Sequence, residues 1–225
     1  MNHRLATVSV IAFGALMPHA RAVAQSPVGS DHHPVQVSAT AVFAGGCYWT
    51  MENLFEHVRG VTDVVAGLAT GDPATDSAGI AEAVTVSYDT SLVSYAELLR
   101  VFFTVAHDPT EKDRQGPDVG SRYRSEVFYE DDGQRRAAAD YISSLERARM
   151  YSRPIVTRVV PLDRFVPVEP DQQDFATRHP DNPYIRMYDP PKLDRFRREL
   201  PELYQERLAA RHEVNAAAAA PRLPR

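Results

Sequence analysis

The chain has 225 residues, of which 44% are hydrophobic, and this is enough for one domain with terminal extensions. Its net charge of −5 argues against nucleic acid or an anionic membrane surface as the main partner. The single cysteine, Cys47, excludes an intramolecular disulfide and a zinc site built on cysteines.

The first 24 residues have the three parts of a secretory signal peptide. Arg4 contributes to a basic start, residues 8–17 form an apolar run, and an Ala-Val-Ala cleavage site ends at Ala24. The apolar run is too short to span a bilayer. We therefore expect cleavage after Ala24 and a periplasmic or secreted protein. Its charge is −7, because two arginines and no acids are removed.

The rest of the chain divides into three parts. Residues 25–37 are polar and contain prolines, which predicts a linker, and residues 209–225 are rich in alanine and proline, which predicts a disordered tail. We expect one domain over residues 38–208. An exported protein usually pairs its cysteines, so a free thiol carried into an oxidising compartment favours a reactive cysteine.

Cys47 lies on a predicted turn between a strand and a helix, directly after Gly45 and Gly46. Residues 35–43 are partly β-branched and favour a strand. Helical spacing is shown by Met51, Leu54, Phe55 and Val58. Free N–H groups at a helix start stabilise a thiolate, so we predict a reactive thiol with a lowered pKa. The alternative is a buried structural cysteine, the usual role of a lone cysteine.

The later elements alternate between strands and helices. Predicted strands cover residues 61–68, 81–88, 125–129 and 155–162, and predicted helices cover residues 94–106, 135–150 and 193–208. The helix at 94 begins with a capping box. Residues 110–121 have no apolar periodicity and predict a long loop, and residues 167–191 are proline-rich and predict irregular structure. This order predicts an α+β fold with helices packed on a small mixed sheet.

Several polar residues are candidates to join the cysteine. Glu82 is either an exposed glutamate at a strand edge or a partly buried acid, whose raised pKa lets it donate a proton near neutral pH. Tyr123 is a core ring or a hydroxyl donor, and Asp118 is a turn residue or a hydrogen-bonding partner. His57 and His107 have the chemistry to activate a thiol. Both end predicted helices, however, and a structural role fits them better.

Five short motifs follow one another along the chain: Gly45-Gly46-Cys47-Tyr48-Trp49, Gly79-Ile80-Ala81-Glu82, His107-Asp108-Pro109-Thr110, Arg114-Gln115-Gly116-Pro117-Asp118-Val119-Gly120 and Tyr123-Arg124-Ser125. Their order and spacing resemble those of class A methionine sulfoxide reductases, the peptide-methionine (S)-S-oxide reductases, from about residue 41 to residue 204. The resemblance implies a ferredoxin-like two-layer α+β sandwich. In it, a small mixed sheet carries packed helices, a long irregular segment follows towards the C-terminus, and the cysteine lies at a helix N-terminus.

The resemblance also implies roles for single residues. Cys47 would be the nucleophile and Glu82 the proton donor, while Asp118 and Tyr123 would complete the polar end of the pocket. The substrate methyl group would be held by two aromatic residues, Tyr48 and Trp49. The implied reaction reduces the S epimer of methionine sulfoxide, free or in oxidised proteins, to methionine and leaves a sulfenic acid on the cysteine. An external thiol, glutathione or a thioredoxin-like protein, would recycle it without a metal or organic cofactor.

The sequence departs from the family pattern at several positions. Tyr48 stands where phenylalanine is usual, Ile80 and Gln172 stand where histidine is common, and the loop over residues 71–79 is short. This loop lacks a tyrosine that normally helps to bind the sulfoxide oxygen, so Tyr123 is the one hydroxyl that the sequence places there. The resolving cysteines near the C-terminus are absent, as in single-cysteine members.

Two other functions are compatible with these residues. The short loop is consistent with a non-catalytic descendant that binds peptides containing methionine. Cys47 alone is consistent with a thiol peroxidase or a redox sensor, which would need neither the acid nor the aromatic pair. For the reductase we expect a monomer with no nucleic-acid or membrane partner.

Overall fold

The computed structural model describes residues 38–74, 76 and 78–207, so the predicted signal peptide, linker and tail lie outside the described residues. The strands are β1 (Ser38–Gly45), β2 (Val61–Gly71), β3 (Ala81–Asp89), β4 (Arg114–Gln115), β5 (Asp118–Val119), β6 (Ser125–Tyr129) and β7 (Arg158–Pro167). The helices are α1 (Tyr48–Glu56), α2 (Tyr95–Val101), α3 (Asp132–Arg147), α4 (Phe175–Arg178) and α5 (Pro183–Glu199). A π-helical turn covers Phe102–Ala106 and a 3-10 turn covers Ser121–Tyr123. Within this part of the chain, no helix has the length and apolar character needed to cross a bilayer.

Five strands close into a barrel in the order β1-β3-β2-β7-β6. Neighbouring strands are antiparallel except for the parallel pair β6 and β7. The predicted α+β class is therefore confirmed. The ferredoxin-like two-layer description is not confirmed, because β7 pairs with both β2 and β6 and joins the edges that an open sheet would leave free.

Side chains alternate between the two faces of the sheet and so form two cores. One core lies inside the barrel and includes Ala44, Ala69, Ala83, Phe128 and Val160. The larger core lies between the outer face and the helices. At its centre Phe43 stacks on Phe55 and Phe102, with ring centroids 5.3 Å and 4.9 Å apart.

A side chain covers part of the edge of β2. Strand β7 pairs with β2 from Gly67 to Gly71. Next to this segment, the Gln173 side-chain amide bonds both backbone groups of Ala66. The Ala66 N–H donates to Gln173 Oε1 at 2.9 Å, and Gln173 Nε2 donates to the Ala66 carbonyl at 2.8 Å. Gln173 thus replaces one residue of a neighbouring strand.

Helix α5 corrects the prediction of irregular structure over residues 167–191. It begins at Pro183 rather than at the predicted Leu193. Asn182 caps it, since its side chain accepts the Tyr184 N–H at 2.9 Å. A proline in the first turn sacrifices no helical hydrogen bond, because its N–H would have no partner there.

The same helix continues through Pro190 and Pro191, within the segment that the sequence predicted to be irregular. These prolines cannot donate backbone hydrogen bonds. Contacts with α1 hold the helix at this point: Asn53 Nδ2 donates to Asp189 at 2.9 Å, and Lys192 Nζ donates to Thr50 Oγ1 at 2.9 Å. Tertiary contacts here outweigh the local proline signal.

The other predicted elements are present, some with shifted ends. Strand β6 coincides with the predicted strand at 125–129, whereas β7 starts at Arg158. The predicted capping box is formed, because Ser94 Oγ accepts the Glu97 N–H at 3.2 Å and Glu97 Oε2 accepts the Ser94 N–H at 2.8 Å. The predicted helix reaches Ala106, but its last turn is π-helical.

Candidate active site

Cys47 is the N-cap residue of α1, as the glycine turn between strand and helix predicted. Its carbonyl accepts the Met51 N–H at 3.2 Å, and 9% of the residue is exposed. The preceding Gly46 has a φ of 103°, and a Cβ there would lie 2.8 Å from the Gln115 side chain. Position 46 therefore requires glycine to present the cysteine at the helix start.

Glu82 lies near the start of β3 and is 5% exposed. Its Oε2 accepts the backbone N–H of Tyr48, in the first turn of α1, at 3.2 Å. Its Oε1 pairs with Nε of the half-exposed Arg122 at 3.1 Å. Burial raises the pKa of Glu82, although the Tyr48 N–H and Arg122 lower it. The prediction of a partly buried acid with a raised pKa is confirmed, and the alternative of an exposed glutamate at a strand edge is wrong.

The predicted lowering of the Cys47 pKa is wrong for the protein without substrate. Burial and then the charge of Glu82 raise the pKa of Cys47 to about 12. The backbone N–H of Trp49 and the side chain of Tyr184 hydrogen-bond the sulfur and lower this pKa, but they do not offset the other two causes. The helix start was visible in the sequence, whereas the depth of the thiol and the nearby acid were not.

The structure brings the remaining predicted polar residues to the same place. Tyr123, at the end of the 3-10 turn, hydrogen-bonds Glu82. Asp118, in β5, accepts a hydrogen bond from the Tyr184 hydroxyl. Tyr184 also hydrogen-bonds Cys47, and burial raises its pKa, so its hydroxyl stays protonated. The four predicted polar residues thus share one site, and Tyr184 joins them.

The sequence did not indicate Tyr184 as a site residue, because Tyr123 was the one hydroxyl expected at this end of the pocket. Asn182 and Pro183 form a helix-start signal that places Tyr184 in the first turn of α5. That signal favours a helix start within the segment that was expected to be irregular. It does not predict that the first turn faces Cys47, because the contact joins residues far apart in the chain.

Aromatic rings line the other side of the site. Tyr48 and Trp49 are half-buried in the first turn of α1. The Trp49 ring stacks on Phe175 with centroids 3.8 Å apart, and meets Tyr48 and Tyr184 edge-on at 6.1 Å and 6.2 Å. Phe175 begins α4, within the segment predicted to be irregular, and a single phenylalanine among polar residues and prolines gives no periodic signal. Four rings, those of Tyr48, Trp49, Phe175 and Tyr184, therefore form the aromatic wall of the site, where the sequence predicted two.

Both histidines are held by structural hydrogen bonds. His107 Nδ1 lies 3.0 Å from the Phe102 carbonyl and Nε2 lies 2.6 Å from Ser125 Oγ. Burial lowers the pKa of His107 to about 3, so the ring is neutral. His57 Nδ1 lies 3.0 Å from the Gln205 carbonyl, and burial also lowers its pKa. The structural role that the sequence favoured for both fits these contacts.

Arg124 holds the loops on either side of the site. It is 3% exposed, and its guanidinium donates to the carbonyls of Gly79, Ile80 and Ser121. It also pairs with Asp76 at 3.3 Å and with Glu126 at 2.6 Å. This network fixes both the approach to Glu82 and the turn that carries Tyr123. Across residues 38–74, 76 and 78–207, no group of histidine, cysteine and carboxylate side chains is arranged to hold a metal ion.

Known proteins are similar to this chain in sequence and in fold. Residues 39–203 match the family described as peptide methionine sulfoxide reductase. Peptide methionine sulfoxide reductase MsrA 2 of Mesorhizobium japonicum is 44% identical over 185 residues, which cover 79% of this chain and 95% of that protein. The fold is similar to two solved structures. One is the reduced form of Mxr1 from Saccharomyces cerevisiae, with a TM-score of 0.58 and 25% identity over 64% of this chain and 87% of that one. The other is methionine sulfoxide reductase A of Corynebacterium diphtheriae, with a TM-score of 0.52 and 28% identity over 64% of this chain and 76% of that one. The chain therefore belongs to the peptide methionine sulfoxide reductase family and reduces methionine sulfoxide in a thiol-dependent reaction.

Proposed function

We propose that Cys47 is the nucleophile and Glu82 the proton donor in the reduction of methionine-S-sulfoxide to methionine. The observation that carries this proposal is the buried carboxyl at the N-terminus of α1, where Glu82 accepts the Tyr48 N–H at 3.2 Å and has a raised pKa. Attack on a sulfoxide sulfur places negative charge on its oxygen. A buried acid beside the thiol neutralises that charge as it forms.

Cys47 and Glu82 form a coupled pair, and the reaction needs the form of this pair that holds one proton. Burial raises both pKa values, and the Glu82 charge raises that of Cys47 further. Moving the shared proton from sulfur to the carboxyl group creates the thiolate and the acid together. The high pKa of Cys47 without substrate is therefore compatible with a reactive thiolate, because the pair carries one negative charge in either arrangement of the proton.

The reaction moves one oxygen atom and two electrons. The Cys47 sulfur bonds to the substrate sulfur while Glu82 protonates the oxygen, and the hydroxyls of Tyr123 and Tyr184 stabilise the charge on that oxygen. Asp118 orients Tyr184 through their hydrogen bond. The bond between the two sulfurs and the sulfur–oxygen bond of the substrate then break as the hydroxyl passes to Cys47, so methionine leaves and the cysteine becomes a sulfenic acid.

The aromatic wall holds the methyl group of the substrate. Tyr48 and Trp49 offer apolar and sulfur–aromatic contacts, and stacking on Phe175 fixes the Trp49 ring. Incubation of the mature protein with each epimer of an N-blocked methionine sulfoxide and dithiothreitol, beside Cys47→Ser, tests the assignment. We expect turnover of the S epimer alone and none by Cys47→Ser. Peroxide turnover instead would identify a thiol peroxidase, and binding without turnover would identify a non-catalytic descendant.

Recycling requires a second molecule, because the chain has one cysteine. Glutathione or a thioredoxin-like protein attacks the Cys47 sulfur directly and removes the oxygen as water through a mixed disulfide. Without added thiol, we expect one methionine per chain and a protein one oxygen atom heavier, which dimedone traps. Continued turnover without thiol would contradict this scheme.

Export and a monomeric state complete the proposal. The basic start, the apolar run and the cleavage site of residues 1–24 support export to the periplasm or beyond the cell. Mass spectrometry of the processed protein should show Gln25 as its first residue, and an uncleaved chain in the cytoplasm would contradict export. Analytical ultracentrifugation tests the monomer.

A further inference from the structure

Glu82 belongs to a row of side chains that crosses three strands. Leu68 of β2 lies directly opposite Glu82 of β3 and also opposite Val166 of β7. Residues directly opposite each other in antiparallel strands share one face of the sheet. Since neighbouring strands are about 4.8 Å apart, the row extends about 10 Å from Glu82 to Val166.

This row leads from the site into an apolar groove. Farther along β2 and β3 the same face is buried beneath α1, where Val64 and Val84 belong to the main core. Beyond the N-terminus of α1 the face is open and forms a groove of about 580 Å³. Its apolar lining includes Leu68, Ile80 and Val166, and its charged lining is Asp76, Asp163 and Arg164. Ile80 is 53% exposed and Val166 is 48% exposed.

The groove has a fixed position relative to the acid. Ile80 comes two residues before Glu82, and its carbonyl accepts a hydrogen bond from the buried Arg124 at 3.2 Å. Leu68 is held in register with Glu82 by the pairing of β2 with β3. A molecule that occupies the groove therefore lies beside any substrate that reaches Cys47.

We propose that this groove binds an apolar side chain of the oxidised polypeptide itself, two or three residues from the methionine sulfoxide. An extended chain advances about 3.3 Å per residue, so the row of about 10 Å matches about three residues. Methionine is mostly a core residue, and its neighbours in a damaged protein therefore include apolar side chains. The groove gives the enzyme a preference for polypeptides over the free amino acid, and the inference rests on Cys47 and Glu82 being the reacting pair.

Matched peptides test this proposal. Acetylated peptides of glycine and serine carry a central methionine-S-sulfoxide and either leucine or serine two or three residues to each side. We expect wild type to favour leucine on at least one side by about 5- to 10-fold in kcat/KM, since an open groove buries part of the side chain. Ile80→Ser and Val166→Thr should each reduce this ratio. Leu92→Ser, a 59% exposed leucine beyond the other end of β3, is the control that keeps it.

A short substrate separates the groove from the chemistry. N-acetyl-methionine-S-sulfoxide methylamide has no side chain to place in the groove, so all three variants should reduce it at the wild-type rate. Failure of wild type to reduce it would remove the assignment of the reacting pair. If wild type reduces the short substrate normally, two results would overturn the proposal. One is an equal kcat/KM for the leucine and serine peptides, and the other is a leucine-to-serine ratio that stays unchanged in both groove variants. So would dimerisation of wild type that Ile80→Ser abolishes, because the groove would then bind a second copy of the chain.

Discussion

Replacing Tyr184 by phenylalanine removes one hydroxyl and keeps the ring. The ring contacts Trp49 edge-on at 6.2 Å and Tyr188 at 4.8 Å, so the aromatic wall should remain in place. The hydroxyl bonds both Asp118 and the Cys47 sulfur. A hydroxyl has a single proton, and it must turn from Asp118 to stabilise a thiolate or the sulfoxide oxygen. Its loss should therefore slow the chemical step.

The size of the effect follows from the contacts that disappear. A hydrogen bond to a charged group contributes about 1.5–3 kcal/mol, which corresponds to a rate about 10- to 150-fold lower. Binding should change less, because the ring that lines the site remains. Tyr123→Phe should have an effect of similar size, since the Tyr123 hydroxyl hydrogen-bonds the carboxyl group of Glu82.

The measurement is a single turnover without added thiol. Rapid quenching of the protein with excess N-acetyl-methionine-S-sulfoxide methylamide gives the rate of methionine formation without any contribution from recycling. Tyr188→Phe, one turn farther along α5, is the matched control and should keep the wild-type rate. If folded Tyr184→Phe also reacted at the wild-type rate, Tyr184 would have no part in the reaction.

Three further predictions concern the charged groups. Glu82→Gln should slow the single turnover by about 10²–10⁴-fold, because the proton donor is lost. In the same variant the alkylation rate of Cys47 should have its midpoint at lower pH than in wild type, because a charge that raises the thiol pKa is gone. Equal midpoints would contradict the coupling. Arg122→Gln should move the acidic limb of the single-turnover pH profile to higher pH by about 0.4–0.7 unit. The reason is that a half-exposed ion pair, which contributes about 0.5–1 kcal/mol, no longer lowers the Glu82 pKa. A shift to lower pH would contradict this role of Arg122. Arg124→Met should lower the free energy of unfolding in urea by about 3 kcal/mol, because two buried carboxylates lose a partner. Arg153→Ala, from a half-exposed pair, should cost at most about 1 kcal/mol, and equal losses would refute the comparison.

Local patterns were sufficient to predict where the cysteine lies. Two glycines after a strand and an apolar helical stripe placed Cys47 at the start of α1, and the position of Glu82 at the start of β3 followed from the alternation of that strand. These features depend on residues within one or two turns of each other. The resemblance to the family then indicated which polar residues meet.

Contacts between distant residues explain what the sequence did not predict. Asn182 and Pro183 mark a helix start, but no local pattern shows that Tyr184, which is distant from Cys47 in the sequence, contacts it in the fold. The pKa of Cys47 has the same origin. The helix start, which lowers it, is local, whereas burial and Glu82, which raise it, are consequences of the assembled fold. The closure of the sheet by β7 is likewise a pairing between distant strands.

The closed barrel and the Gln173 amide also affect how this protein binds oxidised polypeptides. Oxidised, partly unfolded polypeptides expose strands whose backbone groups seek partners, and an open sheet edge invites them to pair and aggregate. In the barrel each strand pairs with two neighbours, and β2 pairs with β3 from Val61 to Ala69 and with β7 from Gly67 to Gly71. The Gln173 side chain hydrogen-bonds the backbone of Ala66, next to the end of the β7 pairing. We therefore expect the Gln173 amide to hinder strand addition by such a polypeptide at this part of the β2 edge.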